Sequence, residues 1–367
     1  MLYPLMKTGE PMYCIKDIVR YGRILLVNGW RSRRRVKHAM MLFAALWSPV
    51  IALADAVFLS RPDVQRYINE QVSAGRFDRP RLEAVLADVE IKPSILEILD
   101  RPPTARPWYQ FRNTMVTESL LNDGVLFWAL HQQALERAFY TYGVPPEVIV
   151  AVLGIETRYG KNMGSFRVLD VLATLGFDYP RRAEFFRKEL TEFLMLAREE
   201  RVNPLTLKGS YAGAMGLPQF MPSSYRKWAV DFDHNGRRDI WKSVDDAIGS
   251  IAHYFQQHGW ITGDDILVPA QVTVTPALEV LVADKFNLHY TIGDLKTMGV
   301  MPEASIDDAI KAVLVPLETK PDQKEYWLGL NNFYVITRYN KSTLYAKAVA
   351  DSARELKLRF MAQHHER

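Results

Sequence analysis

The residues Val150-Ala151-Val152-Leu153-Gly154-Ile155 form an apolar run that is followed at once by one carboxylate, Glu156. A carboxyl group held against apolar walls has its charged form disfavoured, so its pKa rises toward the range of a general acid. Pro145 or Pro146 suits a first helical turn and Gly160 offers a C-cap, so a helix of about three turns is expected to carry Glu156 near its C-terminal end. Leu153, Ile155, Met215 and Phe220 are the expected walls. Arg181 or Arg182 close by would lower the pKa instead, and burial is expected to outweigh them.

Downstream, the stretch from Lys208 to Tyr225 mixes glycine, alanine, two prolines, polar groups and aromatics, the texture of a groove floor. Small residues let a polymer approach the backbone closely. Ser210 and Gln219 can hydrogen-bond sugar hydroxyls or acetamido groups, and Phe220 and Tyr225 are expected to offer faces to sugar rings.

Glu156-Thr157-Arg158-Tyr159-Gly160, the floor stretch and Tyr179-Pro180-Arg181-Arg182-Ala183-Glu184-Phe185-Phe186 follow one another in an order and spacing that resembles the lytic murein transglycosylase B family. The resemblance covers nearly all of the chain after residue 60. It implies a mainly α (α+β) fold with a lysozyme-like helical core around Glu156, an EF-hand-like loop within it, a flanking helical domain and a small inserted β unit. It implies the glycan strand of peptidoglycan as substrate, with Glu156 protonating the bond between N-acetylmuramic acid and N-acetylglucosamine. The same residue then acts as base on the C6 hydroxyl, closing a 1,6-anhydro ring without water. Ordinary glycosidases need a second carboxylate, and none accompanies Glu156 in these motifs. By the same resemblance Arg181, Arg182, Ser210, Gln219, Phe220, Tyr254, Tyr339, Asn340 and Tyr345 line the substrate groove. Phe111 stands where the family often has tyrosine, which removes a hydroxyl there. A hydrolytic muramidase and a non-catalytic wall-binding scaffold are the other readings.

Asp231-Phe232-Asp233-His234-Asn235-Gly236 opens like an EF-hand loop, with oxygen ligands at the first, third and fifth positions and glycine at the sixth. Lys242 occupies the twelfth position, where a bidentate Glu belongs. The resemblance implies a longer loop whose last carboxylate comes from the next helix, Asp246 or its neighbour Asp245. Asp231, Asp233, Asn235, the Arg237 carbonyl and Asp246 would then cage a structural Ca²⁺. No organic cofactor is implied.

The 367 residues, 48% hydrophobic and 24% charged, suffice for two or three packed units. A net charge of +4 favours a negatively charged polymer, and no basic cluster in the body of the chain points to nucleic acid. The lone Cys14 cannot form an internal disulfide. Arg31 to His38 is basic and Ala39 to Ala54 apolar, ending Ala52-Leu53-Ala54, which reads as a secretory signal cleaved near Ala54 and hence a periplasmic protein. A retained membrane anchor is the alternative. Any protein partners in cell-wall synthesis are not readable from these residues.

The expected organisation is a leader over 1–54, an N-terminal helical domain over 55–143, the catalytic core over 144–262, a β unit over 263–320 and a C-terminal return over 321–367. One long amphipathic helix is expected from Val125 to Tyr140, with His131 solvated or structural. A helix from Arg182 to about Glu200 and a final helix from Ala346 to Leu358 complete the reading.

Overall fold

The computed structural model describes residues 58–100 and 106–365. The expected leader, with Cys14, lies outside these residues.

Contacts divide the chain into two compact units, residues 58–90 with 98–100, and residues 91–97 with 106–365. In the smaller, α1 (Pro62–Ser73) opens on proline and buries Val64, Tyr67, Ile68 and Gln71, a helical stripe. Helix α2 (Arg79–Ala87) is capped by Asp78, which accepts from the Arg81 amide, and buries Leu82 and Leu86. A third helix, α3, covers Pro93–Asp100.

The larger unit is built around α7 (Pro146–Thr157), in which every residue from Val148 to Thr157 is buried. A helix apolar all round must be covered on all sides. Around it lie α4 (Trp108–Met115), α5 (Glu118–Leu130) and α6 (Gln132–Tyr142); α8 (Val168–Asp178), α9 (Ala183–Glu199), α10 (Pro222–Trp228) and α11 (Val244–Gln257) follow. Helices α5, α6, α11 and the last helix, α15 (Thr343–His365), pack directly on α7. Each fully buried Val, Leu or Ile there contributes roughly 1.5–3 kcal/mol.

Several expected boundaries move. The single helix from Val125 to Tyr140 is two, broken at His131, whose φ of −113° leaves the helical region. The break lets α5 face α7 and α15 while α6 turns its apolar side to α11 and α7. His131 packs its ring against Phe127 in a tilted contact at 4.5 Å, and burial lowers its pKa. Residues Pro180–Arg182 form a 3-10 turn, so α9 begins at Ala183. The last helix exceeds the expected span at both ends.

Nor does α7 end on Gly160. Arg158 takes the left-handed C-cap at φ 50° and Tyr159 follows at φ 58°. These two unusual residues turn the Tyr159 ring back onto α5 and α7, where its hydroxyl donates to Leu120 O at 3.0 Å. Two glycines make the slot: a Cβ on Gly154 would stand 2.5 Å from that hydroxyl oxygen, and one on Gly124 would crowd it as closely.

A five-stranded antiparallel sheet is inserted between α11 and the return of the chain, in the order β4 (Tyr290–Thr291), β6 (Lys311–Lys320), β7 (Gln323–Gly329), β3 (Leu267–Val272) and β5 (Val300–Pro302). The sheet runs past residue 320, because β6 turns through Pro321-Asp322 into β7 with Lys320 opposite Gln323. Asp322 supplies the left-handed residue of that turn at φ 61°. Helices α12 (Ala277–Ala283) and α13 (Ile292–Thr297) give Leu281, Ile292 and Leu295 to the core beneath it. A Thr291–Asp294 capping box starts α13. The chain returns through α14 (Asn331–Tyr339), and β1 (Phe166–Arg167) pairs with β2 (Lys208–Gly209) beside α8.

Gly154→Ala is expected to cost about 1–3 kcal/mol through overpacking against Tyr159, and Tyr159→Phe about 1 kcal/mol for the lost hydrogen bond. Urea unfolding of the purified variants measures both; a Gly154→Ala protein as stable as the parent would contradict the slot.

Candidate active site

Glu156 is the penultimate residue of α7 and is 5% exposed. Tyr345, near the start of α15 and 189 residues further on, donates its phenol hydrogen to Glu156 Oε1 at 2.7 Å. The carboxyl at the end of the central helix is therefore fixed by the returning chain. Tyr339 and Asn340, at the end of α14, are brought to the floor stretch: the Tyr339 hydroxyl donates to the Pro218 carbonyl. Asn340 is buried, and its Oδ1 accepts no hydrogen bond from the described residues.

The floor stretch folds back on itself. Met215 and Phe220 exchange both backbone hydrogen bonds, at 2.8 and 3.0 Å, and Met215 also bridges to Gly209. Gln219 sits at φ 52° inside this tight loop. Its Nε2 donates to Gly216 O at 2.8 Å and to Met163 O at 3.2 Å, which occupies both amide hydrogens, so toward a ligand the side chain can only accept. Ser210 Oγ accepts from the amides of Ala212 and Ala214, so toward a ligand its hydroxyl can only donate.

The expectation that Phe220 and Tyr225 present their faces to sugars is corrected by burial. Phe220 is 2% exposed, with its ring 5.6 Å from that of Tyr254 and 5.8 Å from that of Tyr339. Tyr225 is wholly buried and donates to Arg238 O. Once the loop closes on itself, these large rings become its core. Tyr254 is likewise buried, donates to Arg338 O at 2.8 Å and stacks on His258. Arg181 and Arg182 are exposed on the turn before α9, and the Arg182 guanidinium lies over Phe185 at 4.3 Å. Thr157, Leu217 and Ile240 were not singled out by the sequence reading, yet they join α7 to the floor: Thr157 Oγ1 donates to Leu217 O at 3.1 Å, and Leu217 N to Ile240 O at 2.9 Å. A hydroxyl directly after the carboxylate was the available signal.

In the acidic loop, oxygens of Asp231, Asp233 and Asp246 lie within 4.8 Å of one another. Asp231 accepts from the amides of Asn235 and Gly236, and Asn235 Oδ1 from that of Arg237, as the tight turn at Gly236 (φ 85°) requires. Asp246 is fully buried; it accepts from Phe232, Asp233 and Asp239 amides, and burial raises its pKa against those bonds. Asp245 is turned away to Arg137 at 3.0 Å. Three converging carboxylates repel one another unless a cation joins them, and a hard, oxygen-seeking ion fits this donor set.

Residues 60–354 match the family model described as the transglycosylase SLT domain. The chain is 44% identical over 302 residues to membrane-bound lytic murein transglycosylase B of Escherichia coli (strain K12), covering 80% of this chain and 82% of that one. Among solved structures it is similar to the soluble lytic transglycosylase SltB1 from Pseudomonas aeruginosa, in its catenated form, with a TM-score of 0.78 and 45% identity over 82% of this chain and 99% of the other. The Escherichia coli lytic transglycosylase Slt35 in complex with calcium gives a TM-score of 0.74 and 42% identity over 83% and 95% of the two chains. These matches take in the apolar helix with its carboxyl tip, the folded floor and the returning tyrosine together, and the chain belongs to the lytic murein transglycosylases of the transglycosylase SLT domain family.

Proposed function

We infer that this protein cleaves the glycan strands of peptidoglycan between N-acetylmuramic acid and N-acetylglucosamine, with Glu156 as acid and then base. The observation that carries the assignment is the buried Glu156 carboxyl held by Tyr345 at the end of α7. Burial and the carbonyl end of a helix favour the protonated form while the Tyr345 hydroxyl donating to Oε1 favours the ionised one, opposing influences that suit a group acting first as acid and then as base. Among the described residues the other buried carboxylates are committed: Asp170 to Arg167, Glu189 to Ser223, Asp246 to the loop amides and Asp351 to Lys347. A one-carboxyl mechanism follows. As the bond to the leaving sugar breaks, the muramic acid's acetamido oxygen stabilises C1. Glu156, now ionised, takes the proton of the same sugar's C6 hydroxyl, and that oxygen closes on C1 as a 1,6-anhydro ring, so no water is consumed.

Ser210, Gln219, Tyr339, Asn340 and Tyr345 orient the sugar and its acetamido group in this reading, and Arg181 and Arg182 meet the strand from the turn before α9. Phe220 and Tyr254 act from behind, as the packed support of Tyr339. Asp231, Asp233, Asn235, the Arg237 carbonyl and Asp246 hold Ca²⁺ as a structural ion; the calcium complex of the 42% identical Slt35 supports that choice. Peptidoglycan as substrate goes with a periplasmic site of action and with cleavage near Ala54, so sequencing of the mature chain should begin at Asp55; a chain still carrying its leader would favour the anchored form.

Digested sacculi analysed by mass spectrometry are expected to give anhydro-muropeptides, and products heavier by one water would instead mean a hydrolytic muramidase. Glu156→Gln should lower clearing of sacculi by roughly 10²–10⁴-fold; undiminished clearing would move the acid elsewhere, while sacculus binding without clearing by the parent would mean a scaffold. For the ion, Ca²⁺ at about a hundredfold above its Kd should stabilise the fold by roughly 2.7 kcal/mol. The melting temperature should then rise with Ca²⁺, fall with chelator, and cease to respond in Asp246→Asn. No response in the parent protein would refute the site.

A further inference from the structure

The C-terminal end of the catalytic helix is tied to the floor through one buried hydroxyl. Thr157, directly after Glu156, has no exposed surface. Its Oγ1 accepts from Gly160 N at 3.0 Å, and its hydrogen has two carbonyls in reach, Leu217 O at 3.1 Å and Leu153 O at 3.3 Å. One proton serves one acceptor well. Leu153 O already accepts from Tyr159 N, so the nearer Leu217 O is the better partner. From there the connection continues through backbone. Leu217 N donates to Ile240 O, and Gly216 lets the two segments approach so closely that a Cβ there would lie 2.6 Å from that same oxygen. Asp239, the residue before Ile240, gives its amide to buried Asp246. On the other flank of Leu217, Pro218 O receives the Tyr339 hydroxyl. A buried threonine that only back-bonds to its own helix satisfies a local polar group; this one spans 60 residues of sequence to reach the loop that carries Gln219.

We propose that Thr157 is a positioning residue for Glu156: its hydroxyl couples the end of α7 to the Leu217–Ile240 backbone relay and so sets the distance and angle of the acid relative to the groove floor. This rests on the reading of Glu156 as the acid. Thr157 touches no substrate, and its effect is on orientation, where a displacement of about 1 Å can cost on the order of 10²-fold in rate.

The test uses the full mature chain acting on soluble glycan strands, with kcat and KM measured separately. Thr157→Val keeps the shape and removes the hydroxyl; kcat is expected to fall about 10–100-fold with KM changed by less than about twofold. Thr157→Ser should recover kcat to within about threefold of the parent, since the hydroxyl returns. Gly216→Ala, which disturbs the relay at Ile240 without touching Thr157, should also lower kcat, with a change in KM as well because the Gly216 carbonyl holds Gln219. If Thr157→Val does not give a native circular dichroism spectrum, Thr157→Cys, similar in volume and a weak donor, takes its place under the same criteria. A Thr157→Val enzyme turning over within about twofold of the parent overturns the proposal, as does a Thr157→Ser enzyme no better than Thr157→Val. Glu156→Gln run in parallel separates the two readings. An active Glu156→Gln removes the acid and the proposal together, whereas an inactive Glu156→Gln beside a fully active Thr157→Val removes the proposal alone.

Discussion

A carboxyl group buried at the tip of an apolar helix is costly to place, and much of the larger unit serves to hold it there. Helix α7 has no polar side between Val148 and Thr157, so its neighbours must cover every face. Its C-terminal end needs partners both for free carbonyls and for Glu156. The carbonyls are met by the left-handed turn at Arg158 and Tyr159, whose amides return to Gly154 O and Leu153 O. The carboxyl is met by Tyr345 from the far end of the sequence. Residues in the left-handed region are uncommon outside glycine, and here the strain is repaid by seating the Tyr159 ring between Gly124 and Gly154.

The helix that delivers Tyr345 is itself anchored by an ionic contact in an aromatic setting. Two residues along α15, Lys347 is 4% exposed, pairs with Asp351, and lies 4.3 Å from the Trp327 ring and 5.3 Å from that of Trp108. Burial lowers the Lys347 pKa while Asp351 opposes that shift. Losing one partner of such a pair is more harmful than never having had it. This cluster joins α15 to β7 and α4, so the inserted sheet helps hold the helix whose Tyr345 meets Glu156. The sheet need not touch substrate to matter for the chemistry.

Legibility in the sequence followed how local each determinant is. The apolar helical run ending in Glu156 was legible as a pattern of neighbours, but its singling out needed the downstream motifs; Asp231, Asp233 and Asn235 were legible as a local loop pattern, whereas Asp246, from the next helix, came from the family resemblance. Tyr345 could be named only from the family, since no periodicity spans 189 residues. Phe220 and Tyr225 were misread because a Gly- and Pro-rich stretch with aromatics resembles an open surface, whereas the bridges of Met215 turn it into a small packed unit. At His131 the three-and-four spacing continues across the break, so periodicity alone could not find it. Strand β7 was missed because Pro321-Asp322 was not taken as a two-residue hairpin turn. Thr157 illustrates the reverse problem: its type is unremarkable at a helix end, and only the approach of Leu217 gives it a role.

The hydrogen-bond polarity of the floor bears on how a sugar can lie there. Ser210 has both acceptor sites filled by amides, so it offers a donor. Gln219 has both donors filled by carbonyls, so it offers an acceptor. Asn340 holds a buried acceptor with no donor among the described residues, a group that is costly unless a ligand or water supplies the hydrogen. An acetamido group carries one N–H and one C=O and can answer both kinds of group at once, which a hydroxyl can do only through a single atom. In that pairing its carbonyl would turn toward Ser210 and its N–H toward Gln219 or Asn340. A substrate turned end for end would face donor with donor and leave buried groups unpaired, at about 1–3 kcal/mol each.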